Sequence, residues 1–586
     1  MPGRDDFRRV LGVEGERALL SEADEIVSGK VRLFGGEPVP LQLIFDQPLR
    51  YWTAYEISPA LLSSFLLPHD DIKYAWEPAR FGWAFTLGRA YHLTGDDRYA
   101  ETFWKYFEEF TAGNPPYLGP HWMNGQEVAL RLMAFVWFAQ VFESAPSSTP
   151  ERRASLLSAI VQHASRIPPT LVYARSQNNN HLVTEAAGLY TAGLALQKPE
   201  WRDLGWHWLN WCFQNQIGDY GEYIQHSMNY HRVMLHSALW AAAIKDVAWP
   251  RKTLQSLARA SHFLFSILDP PSGRVPNLGA NDGALILPLS ATAFEDFRPT
   301  IQAAARTFLK TQMPSGAWDE LALWLGFGAV AQTYEPGHYL SDNLRGKESW
   351  AYLRASRFKS RLGHMDQLHL DLWWRGLNII QDAGTYLYNG QAPWDNPLVS
   401  TRVHNTVTVD GRDQMTHGGR FLVLDWFPAY SETLFESDQS VLQRVRAWHN
   451  GYRGLRHERT VTVHTGDRWV VQDTLAPRGP SPHVYRLHWL LPDWEWKMEN
   501  VEGQAELRLK SPHGWIILSI STNPPVSNPL FSIVRAGDLI HGKRSILPYE
   551  GWFSPTYGVK IPALSLALEV RSGGIVTFTT GIIFPD

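Results

Sequence analysis

Arg175-Ser176-Gln177-Asn178-Asn179-Asn180-His181-Leu182, followed by Glu185 and Gly188 on an apolar pattern of helical period, is the stretch from which the rest of the chain is read. Asn is a favoured helix N-cap and a run of three makes a turn, so the segment reads as a turn opening a buried helix. The same texture extends outward on both sides. From about residue 50 to about 330, segments of helix length are separated by short Gly/Pro/Asn/Asp turns. One runs from Pro78 to Leu93 and stops at Thr94-Gly95-Asp96-Asp97. Another runs from Arg153 to Ile167 before Pro168-Pro169, with Leu156, Leu157, Ile160, Val161 and Ala164 on one face. Ten or more such helices on short loops pack as successive antiparallel hairpins, and at this size a curved or closed toroid is expected.

Near residue 345 the texture changes. Trp350–Phe358, Leu368–Trp374, Leu377–Gln381, Asn405–Val409, Thr460–Val463, Trp469–Gln472, Trp515–Ile520 and Ile575–Thr579 are short, β-branched or aromatic, and bounded by turns such as Asp410-Gly411. The expected architecture is an N-terminal (α/α) helical toroid over residues 49–340 and an antiparallel β-sandwich over 341–586, preceded by a loosely structured lead-in at 1–48. At 586 residues the chain exceeds a single core.

Composition removes several function classes. A net charge of −4 with scattered Lys and Arg leaves no footprint for nucleic acid. No window reads as a membrane span, and Met1 to Val10 leads into no apolar core of signal-peptide length, so a cytoplasmic location is expected, or a secreted or periplasmic one if the natural start lies upstream. The single Cys212 excludes an internal disulfide and a thiolate metal cluster. The 26 Trp and 22 Tyr suit stacking on sugar faces as well as packing.

Further polar landmarks follow in a fixed order. They are His121-Trp122-Met123-Asn124-Gly125-Gln126-Glu127 with Arg131, Asn179-Asn180-His181, and Gln225-His226-Ser227-Met228-Asn229-Tyr230-His231-Arg232. In the β region they are His364-Met365-Asp366, Asp382-Ala383-Gly384-Thr385-Tyr386 and His404-Asn405-Thr406-Val407-Thr408-Val409-Asp410-Gly411. In order and spacing the chain resembles the heparinase II/III-like polysaccharide lyases from about Trp76 to about His488. The resemblance implies β-elimination on a uronic acid within an anionic polysaccharide. It assigns Asn180 to neutralising the sugar carboxylate, Tyr230 to acid or acid/base work, and His181 to base or positioning. It also implies a divalent metal, most simply a structural zinc, on His364, Asp382 and His404, a sound two-His, one-carboxylate set, with Asp366 as a neighbour.

The residue chemistry fits that implication. Removing the proton beside a carboxylate builds charge on its oxygens, so donors must be aimed at them. Asn180 at a helix start can donate, and the helix N-terminus adds a favourable field. Gln126 and Glu127 read as cleft-wall residues, Trp122 and Trp76 as stacking platforms or core residues, and Arg131, Arg232 and Arg402 as partners for substrate carboxylates or members of structural salt bridges. His369 and Asp371 fall in the alternating run Leu368, Leu370, Leu372 and read as projecting from the opposite face, toward solvent or the cleft.

Two positions depart from the family pattern. Many relatives carry His-x-His-x-Asp, where this chain has Leu362-Gly363-His364-Met365-Asp366, and a Tyr that some alginate-acting members place before the last His-Asn is absent from Ser400-Thr401-Arg402-Val403. The departures shift weight onto His181 and Tyr230. Two other functions compete. A glycoside hydrolase would need two opposed carboxylates, for which Glu127, Glu185 and Glu222 are available. A noncatalytic glycan binder would keep the cleft without the base.

Overall fold

A computed structural model describes residues 1–334, 343–360, 362–419, 421–435, 437–452, 454–501, 504–526 and 528–585. The chain folds into two compact units. The first comprises Met1–Ile224, Asn229–Phe265 and Gly283–Glu335, and the second Gln225–Met228, Ser266–Asp282 and Pro336–Asp586. The division is less simple than the expected split at residue 340, because two short segments from within the helical stretch belong with the β unit.

The first unit is helical. Its long helices alternate between two kinds. Gly125–Val141 and Asn180–Ala195 are buried almost all round, the mark of an interior helix. Pro150–Gln177 and Pro199–Asn215 bury one side and pack beside them, and the two interior helices also pack on each other. Gly188 permits that contact, since a Cβ there would lie 2.7 Å from the Ala129 Cβ. Because one antiparallel helix intervenes each time, the starts of Gly125–Val141 and Asn180–Ala195 lie at the same end of the unit. This is the inner-and-outer helix pattern of an (α/α) toroid.

Three expectations change here. Residues 1–48 hold the 24-residue helix Arg4–Val27, broken at Gly12 (φ 62°), which buries Phe7, Leu11, Leu19, Ala23 and Ile26. The Pro78–Leu93 pattern divides into Lys73–Ala79 and Ala84–Thr94, because Phe81 takes a left-handed φ of 61°. The helix expected to stop before Pro168-Pro169 runs from Pro150 to Gln177 through both prolines. Burial of Ile167, Leu171 and Ala174 carries it across the lost donors. Its buried face is Leu156, Ile160, Ala164 and Ile167, while Leu157 and Val161 are 53% and 42% exposed.

The second unit is antiparallel β. Among the described residues, the larger sheet runs in the order Tyr430–Leu434, Val441–His449, Leu455–His464, Arg468–Pro477, Val576–Ile583, Gly514–Asn523, Gln504–Ser511, Trp496–Val501. A second sheet orders Asp538–Gly542, Leu530–Arg535, Ile561–Ser572, His483–Pro492 and Val407–Val409, and a third holds Asn343–Arg345, Ser349–Leu353, Leu370–Trp374 and Leu377–Ile380. Alternate residues of facing strands, among them Val461, Val463, Val471, Phe578, Leu487, Trp489 and Leu566, form one apolar core, which makes the unit a β-sandwich. No described helix is long and apolar enough to cross a membrane.

Candidate functional site

Two helix starts meet in the first unit. Asn124 caps Gly125–Val141 by accepting from the Gln126 backbone N–H at 2.8 Å, and Asn179 caps Asn180–Ala195 by accepting from that of His181 at 3.1 Å. The Asn180 amide donates to Gln126 Oε1 at 2.6 Å, so the two motifs are tied side chain to side chain. The preceding turn is fixed as well. Asn178 sits in the left-handed region at φ 48°, which Asn tolerates. Gln216 donates to Asn178 Oδ1 at 3.1 Å and to the Asn179 carbonyl at 3.2 Å, and accepts at 3.1 Å from the Tyr223 hydroxyl. Burial pushes that hydroxyl well up, reinforced by its neighbours Cys212 and Tyr230. Tyr230, on the first turn of the helix Met228–Ile244, is thus within electrostatic reach of the tyrosine that braces the Asn178-Asn179 turn. Asn180 and Tyr230 are buried, at 3% and 8% exposure, whereas His181 is partly exposed. Gln216 and Tyr223 are members of this network that the sequence did not single out, being lone polar residues outside any pattern.

The residues expected to line a cleft have interior roles instead. Trp122 is 1% exposed, so it offers no ring face to a sugar. The Trp76 indole N–H donates to the Pro120 carbonyl at 3.0 Å, and the residue is only partly buried. Glu127 receives a bidentate Arg80 at 2.6 and 2.7 Å, and Arg80 also reaches Glu77 at 2.5 Å. Arg131 donates to His163 at 3.0 Å and to the His121 carbonyl at 2.9 Å. Arg232 lies over the Phe294 and Phe297 rings and donates to the Phe294 carbonyl at 2.7 Å. Gln126, 2% exposed, accepts from the Asn180 amide. In the second unit Arg402 pairs with the buried Glu550 at 2.9 Å, where Arg486 and Arg544 also converge. Arg131, Arg232 and Arg402 thus take the structural alternative that their sequence left open, with partners distant along the chain.

Glu185, one turn beyond Asn180, has an unusual carboxyl. Burial pushes its pKa up to about 8, against Thr170 and Arg166, which pull it down. Gly125 leaves room for it, since a Cβ there would lie 2.6 Å from Glu185 Oε1. The folded value lies above the ordinary 4.5. The stability this group confers is therefore complete below pH about 4.5 and is lost progressively as pH rises through about 8, as the unfolded chain ionises first. Glu185→Gln is expected to flatten the decline of melting temperature across that window, and parallel profiles for variant and wild type would refute the assignment.

In the second unit the β-region landmarks converge. His364, Asp366, Asp382 and His404 are buried, and one ligand atom of each lies within 4.8 Å of all the others. Asp382 accepts from His404 Nδ1 at 3.1 Å, with His364 Nδ1 3.9 Å away. Against the cost of burial, His404, His369 and His364 hold the Asp382 carboxyl far below its usual range, while Asp382 raises His404 against that same cost. Thr385 occupies His364 Nε2 at 3.1 Å and His488 holds the His404 carbonyl at 2.8 Å. His364 Nδ1 and His404 Nε2 are buried without a hydrogen-bond partner among the described residues. Two bare imidazole nitrogens beside an ionised carboxylate are a donor set that can hold a metal.

His369 and Asp371, read as facing solvent or the cleft, are fully buried. His369 Nε2 lies 3.5 Å from Asp382, and Asp371 accepts from Trp373 and Asn378 at 2.5 and 2.8 Å. The strand Leu370–Trp374 is covered on both faces, so alternation gave no inside and outside. Arg354, which pairs with Asp366 at 2.9 Å and donates to the His226 carbonyl at 3.1 Å, was not foreseen.

Residues 52–277 match the family model described as Heparinase II/III N-terminus, and residues 340–578 match that described as Heparinase II/III-like, C-terminal. Among curated proteins, the chain is 23% identical over 470 residues to a heparin-sulfate lyase of Bacteroides stercoris, covering 73% of this chain and 65% of that protein. It is 22% identical over 462 residues to one from Pedobacter heparinus, covering 72% and 63%. The chain thus spans less than two thirds of the length of these relatives. A crystal structure of heparinase III aligns with a TM-score of 0.65 at 17% identity over 97% of this chain and 84% of that one. A Paenibacillus xanthan lyase aligns at 0.52 and 11% identity over 97% and 56%.

Proposed function

This chain belongs to the heparinase II/III-like family, and from that premise we propose that it is a polysaccharide lyase that cleaves a uronic-acid-containing chain by β-elimination. The observation that carries the proposal is the joining of Asn180 to Gln126 at two neighbouring helix starts, with Tyr230 within electrostatic reach of the Tyr223 that braces the adjoining turn. The Asn180 amide and the helix N-terminus donate to the sugar carboxylate, stabilising the charge that grows on it when the C5–H bond breaks. Neutral His181, or Tyr230 in one stereochemical series, takes that proton. The electron pair forms the C4–C5 double bond as the C4–O bond breaks, and the Tyr230 hydroxyl protonates the departing oxygen.

The metal reading is part of the proposal. His364, Asp382 and His404, with Asp366 beside them, would hold one divalent ion, most simply zinc. When bound, it supplies a cross-link among three β-unit loops and no proton step. A hydrolase is the poorer reading, since both Glu127 oxygens are held by Arg80, which takes that carboxylate out of an opposed pair.

The names of the relatives make heparin-type glycosaminoglycans the first polymers to screen, followed by alginates and bacterial exopolysaccharides. The expected product is an unsaturated uronate, detected by its ultraviolet absorbance. Reducing the substrate carboxylates to alcohols is expected to abolish turnover, because the Asn180 interaction then has no charge to stabilise. Saturated products, or equal cleavage of the reduced polymer, would replace the lyase with a hydrolase.

A further inference from the structure

The segment that leads into the Asn124 cap carries aromatic side chains that the scheme above does not use. Tyr51 and Leu118 form an isolated antiparallel bridge, in which the Trp52 N–H donates to the Tyr117 carbonyl at 3.0 Å and the Gly119 N–H to the Arg50 carbonyl at 2.8 Å. The bridge gathers three rings. That of Tyr51 lies 6.0 Å from the Trp52 ring and 6.4 Å from the Tyr117 ring, centroid to centroid. Tyr51 is 53% exposed, and Trp52 and Tyr117 are half-buried. Among the described residues, neither tyrosine hydroxyl nor the Trp52 indole N–H has a hydrogen-bond partner. Tyr117 is also held at φ 65°, a left-handed conformation that bulky side chains rarely take. A ring kept in that conformation and left half open is not there to fill a core.

Two buried residues brace the group. The Trp122 ring, which offers no face of its own to a sugar, packs on Tyr117 at 5.4 Å. The Arg166 guanidinium lies 3.9 Å from the centroid of the Trp52 ring and donates to the Trp122 and Met123 carbonyls, each at 3.1 Å. Glu185, Glu56, Tyr51 and Tyr117 all interact electrostatically with Arg166, so its charge is shared among them and the rings are not an ion site. They are thereby fixed to the residues that precede Asn124, whose helix carries Gln126 and, through it, Asn180. Flat rings with unused polar tips match the two chemistries of a pyranose, an apolar C–H face for the ring and hydroxyls for the tips. We propose that Tyr51, Trp52 and Tyr117 form a stacking subsite for a second sugar ring of the polymer whose uronate meets Asn180. Its service to the elimination rests on the lyase reading, whereas sugar binding by the three rings does not.

Affinity electrophoresis of the full chain through gels containing heparan sulfate, alginate or xanthan reads binding without reference to product. Wild type is expected to be retarded by at least one of the three. Tyr51→Ala combined with Tyr117→Ala should weaken that retardation by about tenfold or more in apparent Kd, because truncation removes two stacked rings. Tyr51→Phe combined with Tyr117→Phe keeps both rings and should recover most of the affinity. Tyr51→Ala alone, at an exposed position, should weaken binding with an unchanged melting temperature, which separates a lost contact from a lost fold. On a polymer that yields the unsaturated uronate, the double alanine variant should raise KM more than it lowers kcat. Retardation by none of the three polymers, equal retardation of wild type and the alanine variants, or an unchanged KM overturns the subsite. Retardation that the alanine variants lose, with no unsaturated product from any of the three polymers, would retain the sugar platform and overturn the lyase.

Discussion

Tyr230→Phe is expected to lower kcat for elimination by about a hundredfold to ten-thousandfold, the usual contribution of a general acid or base, while folding and substrate binding stay near wild type. Phe keeps the ring and its packing on the first turn of Met228–Ile244, so only the proton-carrying hydroxyl is removed. A tyrosine that merely packs would lose little activity. Asn180→Ala should fall by about a hundredfold to a thousandfold if it behaves as one donor of an oxyanion hole. That variant also frees Gln126 Oε1 from its 2.6 Å partner, so its melting temperature must be read beside its rate. Near-full lyase activity in Tyr230→Phe would pass the acid role to His181. His231 is the poorer substitute, since it is fully buried, packs on Phe263, and is pushed down to about 4 by burial.

These expectations depend on residues that differed in how well the sequence exposed them. The Asn178-Asn179-Asn180 turn was legible because backbone chemistry dictates it, through one left-handed Asn, one cap and one first helical residue. Strands such as Leu377–Ile380 were legible because turn residues bound them. The direction of single polar side chains was not. Arg80, Arg131 and Arg232 look alike in sequence, and each is buried against a partner distant along the chain, Glu127, His163 and Phe294. The same limit hid Gln216 and Arg354. The solvent alternative for His369 failed because period-two alternation separates inside from outside only when one face meets water, and Leu370–Trp374 has no such face. Pro168-Pro169 misled for a related reason, since local propensity yielded to the packing of Ile167, Leu171 and Ala174.

Asp382→Ala is expected to remove the bound metal and to destabilise the chain more than any other single change in the β unit. Asp382 lies 3.9, 3.5 and 3.1 Å from His364, His369 and His404. Deleting it leaves three buried imidazoles around a void and removes the interaction that favours charge on His404. Breaking a buried charge pair from one side costs about 3–5 kcal/mol, and loss of a bound ion adds the linkage term for that ion. Because the site ties the loops of His364 and His404 to the end of the strand Leu377–Ile380, the loss should appear as a lower melting temperature in the β unit. Elemental analysis of the wild type should find about one divalent ion per chain, zinc being the first candidate. If Asp382→Ala fails to fold, chelation of the wild type offers the same comparison without a mutation. A wild type that carries no metal and melts identically with and without chelator would show that these four residues form a hydrogen-bonded polar cluster and nothing more. An Asp382→Ala protein that retains its metal would place the ion elsewhere.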